Sequence, residues 1–317
     1  MTPRDEFINA LELGPPRGRV PTFELVFFLT MEAFGRVFPG HRRFTQWDQM
    51  SAREQDAQVA HAAQLYIDIA DRYGHHAIMV HGFDGMPDSL QLIAGKIREL
   101  TGDRFFLTRH GDATFGLPDG EQMAEFAYRI ADEPEALHGK ATERVDRALD
   151  RSEAEMGLGL WDGMTLCSDY CFNTGPFLSP AQFGEFVAPY LERLVRGYRD
   201  QGYYVIKHTD GDIMPILDQL VQCRPHALHS LDPQAGVDIA EVKRRCGDDL
   251  CLIGNVNCAL LQTGTDEECI ESARYCIEHG MPGGGYIFST SNCVYTGMPL
   301  ERYELINRIW REEAIYP

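Results

Sequence analysis

Residues 203–231, YYVIKHTDGDIMPILDQLVQCRPHALHSL, contain the pattern that decides the fold. A β-branched and aromatic run at 203–207 precedes a segment with helical periodicity at 213–222, and a second apolar run follows at 227–231. Two short strands separated by one helix are typical of a βαβ unit, in which the strands are parallel. The stretch therefore predicts one repeat of an α/β fold with a parallel sheet.

The same alternation extends along the whole chain. The predicted strands are residues 22–27, 76–81, 104–108, 164–168, 203–207, 227–231, 250–254 and 286–290. The predicted helices are residues 51–73, 90–100, 120–151, 180–201, 213–222, 239–245, 266–279 and 300–311. Eight strands, each followed by a helix, predict a (β/α)8 TIM barrel, here a single domain over residues 1–317 with an N-terminal helical extension. A doubly wound open sheet is the competing architecture, but no predicted strand is followed by its usual Gly-x-Gly-x-x-Gly motif.

Composition narrows the classes of function. The chain has 317 residues, 44% of them hydrophobic, which is enough for a folded core and excludes disorder. Its 29 Lys and Arg against 48 Asp and Glu give a net charge of −19, which disfavours binding to nucleic acid or to anionic membranes. We find neither a secretory signal nor the ~18 apolar residues of a membrane span. We therefore expect a soluble, cytoplasmic protein.

Cysteine usage agrees with this compartment. The nine cysteines are scattered along the chain and include no Cys-x-x-Cys motif. An odd number in a chain of this length does not suggest a disulfide framework. We expect most of them to be reduced core residues, because a free cysteine behaves as a small apolar side chain.

The strongest candidate site follows the strand at 203–207. Active sites of parallel barrels lie at the carboxyl ends of the strands. Because side chains alternate along a strand, His208 and Asp210 should point to the same side, with Ile206 below them. An imidazole and a carboxylate on one face suit metal ligation or proton transfer. The alternative is that Asp210 caps the following helix and His208 only satisfies its own backbone.

The end of the last predicted strand is unusually polar. Cys293 could supply a thiolate to a metal shared with His208, or it could be one more core cysteine. Asn292 offers an amide suited to orienting a carboxylate or amide of a substrate.

Further candidates stand singly near other strands. Four of them follow strand ends and could contact substrate or carry chemistry: His81, Asp169, Asp232 and Asn255. A fifth, Glu24, lies inside an apolar strand, where a carboxylate needs a partner or a proton. Pairing of Glu24 with an arginine at the barrel floor is the alternative. The pair at 75–76, His-His, is predicted to be a solvated turn.

Several motifs together resemble one family. They are KHTDG at 207–211, IGNVN at 253–257, GGGYI at 283–287 with Pro299 after it, and GPFLSP at 175–180 followed by FVAPY at 186–190. They resemble the second half of the uroporphyrinogen decarboxylase-like superfamily, which includes uroporphyrinogen decarboxylases and corrinoid-dependent methyltransferases. The resemblance extends from about residue 164 to the end, and before that only RVP at 19–21 is similar. It implies the same barrel that the strand count predicts.

Of the two branches, the resemblance favours the methyltransferases. The decarboxylases begin with an arginine-rich motif that grips the carboxylates of the tetrapyrrole, and this chain has none like it. Zinc-containing methyltransferases carry His-x-Cys at the fifth strand and a second cysteine near the last. Here the pair is His208-x-Asp210, and the second cysteine aligns with Asn292, next to Cys293. Any zinc would therefore be held by harder ligands than in the family, and an empty site is the alternative.

The resemblance thus implies transfer of a methyl group between a small methylated substrate and a cobalamin. The corrinoid would be carried by a partner protein docked over the barrel mouth. His208 and Asp210 are the expected catalytic pair, acting through a metal or a proton. The alternative is decarboxylation of a tetrapyrrole or a small carboxylated substrate, with Asp169 or Asp210 stabilising the protonated intermediate. A second alternative is a non-catalytic barrel that binds a corrinoid or tetrapyrrole.

Overall fold

Seven parallel strands form one sheet in the computed structural model, which describes residues 1–317. The strands of the chain are β1 (Ala77–Met79), β2 (Phe106–His110), β3 (Gly163–Leu166), β4 (Cys171–Phe172), β5 (Gly175–Pro176), β6 (Tyr204–Thr209), β7 (Ala227–Ser230), β8 (Cys251–Val256) and β9 (Tyr286–Thr290). Their order in the sheet is β1-β2-β3-β6-β7-β8-β9, while β4 and β5 form a separate antiparallel hairpin. Seven of the eight predicted strands are confirmed, and the protein is an α/β fold.

Thirteen α-helices accompany the sheet. They are α1 (Pro3–Leu11), α2 (Thr30–Phe34), α3 (Ala52–Tyr73), α4 (Ser89–Thr101), α5 (Met123–Asp132), α6 (Pro134–Met156), α7 (Pro180–Phe186), α8 (Ala188–Asp200), α9 (Leu217–Gln222), α10 (Ile239–Cys246), α11 (Cys258–Thr263), α12 (Asp266–Gly280) and α13 (Leu300–Glu313). Two predicted helices are each divided in two, and in both cases a proline stands in the first turn of the second helix. None of the helices has both the length and the apolar character needed to cross a membrane.

The predicted first strand, residues 22–27, is irregular. It makes only isolated bridges, of which one joins Thr22 to Phe288 of β9. The Phe288 N–H donates to the carbonyl of Pro21 at 2.8 Å, and the His76 N–H donates to the carbonyl of Thr22 at 2.8 Å. The segment therefore hydrogen-bonds to both edges of the sheet without forming a regular ladder. Pro21 contributes to this, because it has no N–H to donate.

The two histidines before β1 are buried, so the predicted solvated turn is wrong. The His75 imidazole lies 2.8 Å from the hydroxyl of Tyr303, and Nδ1 of His76 accepts the Thr22 N–H at 3.2 Å. The irregular segment packs over this turn, which a strand count cannot anticipate.

The sheet has two chemically distinct faces. Alternate residues such as Ile206, Ile253 and Ile287 form an apolar cluster on one face, which we call the inner face. The residues between them, such as Val205 and Leu252, join the larger cluster beneath the helices on the outer face. Along β6 the inner face continues from Ile206 to His208 and then to Asp210, as the strand period predicts. The inner face therefore changes from apolar to polar toward the carboxyl ends of the strands.

A buried ion pair lies on the outer face of the sheet, near the carboxyl end of β6. Lys207 is 0% exposed, and its ammonium lies 2.9 Å from Asp112 Oδ2, 2.8 Å from the carbonyl of Ser168 and 4.1 Å from the ring centre of Tyr170. Burial raises the pKa of Asp112, but the Lys207 ammonium and hydrogen bonds from Thr114 outweigh it and hold that pKa below its usual range. The pair joins the loop after β2 to the loop after β3.

We expect Lys207→Met to lower the free energy of unfolding by about 3–5 kcal/mol, because it leaves the Asp112 carboxylate buried without its cation. Urea unfolding followed by circular dichroism would measure this. The matched control is Arg147→Ala, which breaks an exposed pair with Glu143 on α6 and should change stability little. Equal effects of the two substitutions would contradict the role assigned to Lys207.

Candidate active site

Three ionisable side chains meet at the carboxyl ends of β3 and β6. They are Asp169, His208 and Asp210, whose ligand atoms all lie within 4.8 Å of one another. Nε2 of His208 is 3.6 Å from Asp210 Oδ1 and 3.8 Å from Asp169 Oδ1. The structure thus brings together the two residues singled out after β6 and adds the aspartate that follows β3.

Asp210 is held in place by its neighbours. Ser230 donates its hydroxyl hydrogen to Oδ1 at 2.7 Å, and the Asn292 amide donates to Oδ2. The Asp210 N–H donates to Asp169 Oδ1 at 2.9 Å, which places the two carboxyl groups side by side. The alternative that Asp210 caps the following helix is wrong, because Asp212 accepts the Met214 N–H there.

Burial shifts the pKa values of two residues in this group. It raises the pKa of Asp210 to about 7, and the nearby carboxylates of Asp169 and Asp232 add to the effect. Burial, with the neighbouring His229 and Lys207, lowers the pKa of His208 well below its usual range. The imidazole is therefore neutral near pH 7, while Asp210 can exchange a proton there. Both states suit the chemistry expected of a ligand or a proton carrier.

The last residue of β7 and the residue after it adopt an uncommon backbone conformation. Ser230 and Leu231 have φ angles of 89° and 51°, in the left-handed region that non-glycine residues rarely occupy. Such residues cost of the order of 1–3 kcal/mol each and are enriched at functional sites. Here the conformation accompanies the hydrogen bond from Ser230 to Asp210. Asp232, next in the chain, accepts the Gln234 N–H at 3.0 Å and so caps a short 3₁₀ helix.

Glu24 is buried on the inner face and has no arginine partner, so the alternative of an ion pair is wrong. Its Oε2 accepts hydrogen bonds from the hydroxyls of Thr290 at 2.5 Å and Ser289 at 3.3 Å. Burial raises the pKa of Glu24 to about 8 despite these bonds. The carboxyl group therefore keeps a proton at neutral pH.

Two other candidates lie outside the group of three. Asn255 donates its amide hydrogen to the carbonyl of Leu231 at 2.6 Å and accepts from Cys276, so its polar atoms bind the protein itself. Cys293 packs in the apolar cluster of the inner face, and burial raises the pKa of its thiol. The structure does not bring the Cys293 sulfur into the group with His208 and Asp210.

A cleft of about 630 Å³ opens between the loop after β1 and helix α6. His81 and His110 lie in its wall with ring centres 5.5 Å apart, and burial lowers the pKa of both, that of His81 to about 4. Arg109 and Arg151 also line it. A second cavity of about 250 Å³ shares both arginines and His110 and reaches residues 167–168, directly before Asp169. His81 is therefore in the wall of a cleft, and neither cavity is lined by Asp169, His208 or Asp210.

The cleft contains polar atoms that lack partners. Nδ1 of His81, Nε of Arg109 and Oε1 of Gln91 are buried without a hydrogen bond. Buried polar atoms normally have a partner, so unpaired ones beside a cavity indicate a place where a polar ligand can bind. Sequence reasoning missed Arg109 and Arg151, because the first is an outer-face strand residue and the second lies in the middle of a helix.

Comparison with known proteins relates the chain to one superfamily. Residues 165–312 match the family model described as uroporphyrinogen decarboxylase (URO-D). The uroporphyrinogen decarboxylase of Photobacterium profundum is 25% identical over 180 residues, which are 53% of this chain and 46% of that protein. The enzyme of that name from Thioalkalivibrio sulfidiphilus is 27% identical over 206 residues, 60% of this chain and 53% of the relative. The chain thus spans about half the length of these relatives.

Solved structures add a likeness of fold. A methyltransferase from Methanosarcina mazei superposes with a TM-score of 0.71 at 15% identity, over 98% of this chain and 99% of that one. GH5_18 from Streptomyces cattleya superposes with a TM-score of 0.52 at 12% identity, over 95% and 82% of the two chains. At these identities the likeness is one of fold alone. The family match and the named uroporphyrinogen decarboxylases confirm the resemblance to the uroporphyrinogen decarboxylase-like superfamily.

We expect Glu24→Gln to change how stability depends on pH. The folded protein keeps the Glu24 proton up to about pH 8, whereas a glutamate in the unfolded chain loses it near its ordinary pKa of 4.5. The folded state binds more protons between these values, so the contribution of Glu24 to the free energy of unfolding falls as pH rises through that window. Glutamine removes this contribution.

The free energy of unfolding, measured in urea from pH 5 to 8, should therefore fall more steeply in the wild type than in Glu24→Gln, by of the order of 1 kcal/mol per pH unit. Glu267→Gln, which removes an exposed carboxylate of α12, is the control. Parallel curves for the wild type and Glu24→Gln would contradict a protonated Glu24.

Proposed function

We propose, from the place of this chain in the uroporphyrinogen decarboxylase-like superfamily, that it is a corrinoid-dependent methyltransferase. It would move a methyl group between a small methylated substrate and a cobalamin carried by a partner protein. The observation that carries the proposal is the group formed by Asp169, His208 and Asp210, which lies at the carboxyl ends of the strands. Active sites of parallel barrels lie at this end.

We also propose that the sheet is the wall of a (β/α)8 barrel. Residues 21–27 would take the place of the eighth strand, since they hydrogen-bond to β9 on one side and to the residue before β1 on the other. A closed wall would make the carboxyl ends of all strands converge around one mouth. The group of three and the cleft would then open into the same space.

The three residues suit a zinc ion. Catalytic zinc takes three protein ligands, from histidine nitrogen and carboxylate oxygen among others, and keeps a position open. His208 with Asp169 and Asp210 supplies one nitrogen and two oxygens, and the neutral imidazole needs no deprotonation to ligate. When bound, zinc would act as a Lewis acid toward the heteroatom that gains or loses the methyl group. Cys293 is the weaker candidate, because its sulfur does not lie among the ligand atoms of the group of three.

The remaining residues would position the substrate. Transfer of a methyl group needs the donor, the carbon and the acceptor in line, so orientation carries much of the rate. His81, His110 and Arg109 offer polar atoms to the substrate from the wall of the cleft. Asn292 and Ser230 hold Asp210 in one orientation, in which it faces His208. The negative charge of Asp232 would help to raise the pKa of Asp210.

The corrinoid is expected on a separate protein. A partner docked over the carboxyl ends of the strands would place its corrinoid above the group of three. Catalysis should then depend on an added corrinoid.

Decarboxylation is the second candidate, and the sequence matches favour it because the named relatives are uroporphyrinogen decarboxylases. Asp210, whose pKa is raised to about 7, could give a proton to the carbon that loses carbon dioxide. A polycarboxylated tetrapyrrole fits poorly, since Arg109 and Arg151 are the only cationic side chains lining the cleft and Glu155 pairs with Arg109. A smaller carboxylated substrate would suit the cleft better.

We expect the purified, untagged protein to bind close to one equivalent of zinc, measured by atomic emission after dialysis against Zn²⁺ and removal of free metal. His208→Ala should lose it, because the single nitrogen ligand is removed. His279→Ala, which removes a histidine of α12 far along the chain, is the control and should keep its zinc. Wild-type protein that stays empty after this treatment would refute the metal site.

We expect methyl transfer to appear when metal-loaded protein is mixed with methylcobalamin and a panel of small thiols, amines and phenols. Loss of the methyl group changes the visible spectrum of the corrinoid, which reports the rate directly. Asp210→Asn should slow the reaction by roughly 10²–10⁴-fold, the range that a positioned acid or base contributes. Arg147→Ala should leave the rate unchanged. Release of carbon dioxide from a carboxylated substrate without corrinoid would favour the decarboxylase, and binding without turnover would favour a carrier.

A further inference from the structure

Polar atoms without partners are concentrated in the cleft between the loop after β1 and helix α6. Seven buried side-chain atoms of the chain lack a hydrogen-bond partner, and four of the seven belong to residues that line this cleft: His81, Gln91, Arg109 and Glu155. Buried polar atoms are normally hydrogen-bonded, because burying one without a partner is costly. Their concentration at one cavity indicates that its wall is complementary to a polar ligand.

The unpaired atoms include a donor and two acceptors. Nε of Arg109 can only donate a hydrogen, whereas Oε1 of Gln91 can only accept one. Oε2 of Glu155 lies 3.0 Å from a guanidinium nitrogen of Arg109 without forming a hydrogen bond, so it also remains an acceptor. A carboxylate ligand alone would supply only acceptors, and an ammonium ligand alone would supply only donors. The wall is therefore matched best by a ligand that carries both groups.

The charges that line the cleft are balanced. Arg109 on β2 and Arg151 on α6 are the cations, while Asp88, directly before α4, and Glu155 on α6 are the anions. Arg109 pairs with Glu155, whereas Arg151 and Asp88 are exposed and have no ion-pair partner. Asp88 also makes no capping hydrogen bond to α4. A ligand with one charge of each sign can align with both walls, because complementary charges then face each other.

The position of Gln91 sets the end of the cleft that accepts hydrogens. Its amide nitrogen donates to Oε1 of Glu155 at 3.3 Å, which joins α4 to α6 and leaves the amide oxygen as the free end. Asp88 stands on the same side, at the start of α4. Apolar side chains complete the lining of the cleft: Val80, Phe83, Met86 and Leu90. The cleft thus has an acceptor side at α4, a cationic side at β2 and α6, and an apolar part.

We propose that this cleft binds a small dipolar ion, namely an α-amino acid or its N-methyl derivative. The carboxylate of the ligand lies against the guanidinium groups of Arg109 and Arg151. An ammonium N–H points to Oε1 of Gln91, on the side of Asp88. The volume of about 630 Å³ leaves room for an apolar substituent. The role of this ligand as the substrate rests on the proposed function, whereas its binding does not.

Isothermal titration calorimetry of the full chain with leucine and with N-methylglycine tests the proposal. Each amino acid is compared with two analogues that lack one charged group: 3-methylbutylamine and 4-methylpentanoate for leucine, dimethylamine and acetate for N-methylglycine. We expect an amino acid to bind at least about tenfold more tightly than its own analogues, because each analogue loses a charge-assisted hydrogen bond. Absence of binding by both amino acids, or equal affinity of an amino acid and its carboxylate analogue, would overturn the proposal.

Two variants locate the binding site. Arg151→Gln removes an exposed cation of α6 and should weaken amino-acid binding about tenfold. Gln91→Leu removes the acceptor and should weaken binding of the amino acid but not of its carboxylate analogue. Arg147→Gln is the matched control, since Arg147 lies one turn away on α6, outside the cleft, and pairs with Glu143. Equal affinity of the wild type and Arg151→Gln, or an equal loss in Arg147→Gln, would refute the assigned site.

Binding and turnover together separate this inference from the proposed function. If the amino acids bind as expected but no methyl transfer is found, the proposed function fails and the dipolar site stands. If an uncharged thiol or phenol accepts the methyl group of methylcobalamin while no amino acid binds, the proposed function stands and this inference is refuted. Methyl transfer that involves the bound amino acid, with a KM raised in Arg151→Gln and unchanged in Arg147→Gln, would support both.

Discussion

The structure depends on the alternation of side chains along β6. Because successive residues of a strand point to opposite faces, Ile206, His208 and Asp210 share the inner face, while Val205 and Lys207 share the outer face. One strand therefore supplies the floor of the inner face, the imidazole above it and the carboxyl group at the rim. A shift of one residue in register would exchange the two faces and bury Asp210 beneath the helices.

Both faces of β6 carry polar side chains near its carboxyl end, and these side chains find different partners on the two faces. On the outer face, Asp112 neutralises the Lys207 ammonium, which also donates a hydrogen bond to the carbonyl of Ser168. Because Ser168 directly precedes Asp169, the ion pair also fixes the loop from which Asp169 reaches the site. On the inner face, burial keeps the His208 imidazole neutral and raises the pKa of Asp210 to about 7. The charged pair that secures the loops thus lies behind the sheet.

The regular parts of the fold could be predicted from the sequence, since β-branched runs and helical periodicity are local signals. The segment at 22–27 was predicted as a strand, and the structure shows only isolated bridges there, because Pro21 and its long-range partners decide its shape. The closeness of His208 and Asp210 was predictable for the same local reason. Their contact with His229 was not, because it depends on the register that pairs His208 with His229 across two parallel strands. Glu24 reaches Ser289 over 265 positions of sequence, which no local pattern encodes.

The choice of donor atoms has a consequence for the chemistry that this site can support. Burial raises the pKa of the thiol in Cys167, which lies two residues before Asp169, and does the same in Cys293. Neither is prepared to be a thiolate, whereas His208 is already a neutral base and Asp210 ionises near pH 7. A site built from one nitrogen and two oxygens prefers harder cations than a site with thiolates. If the chain is a methyltransferase, its bound metal should therefore be a stronger Lewis acid than one with thiolate ligands, and its activity should rise with pH as Asp210 loses its proton to become a ligand.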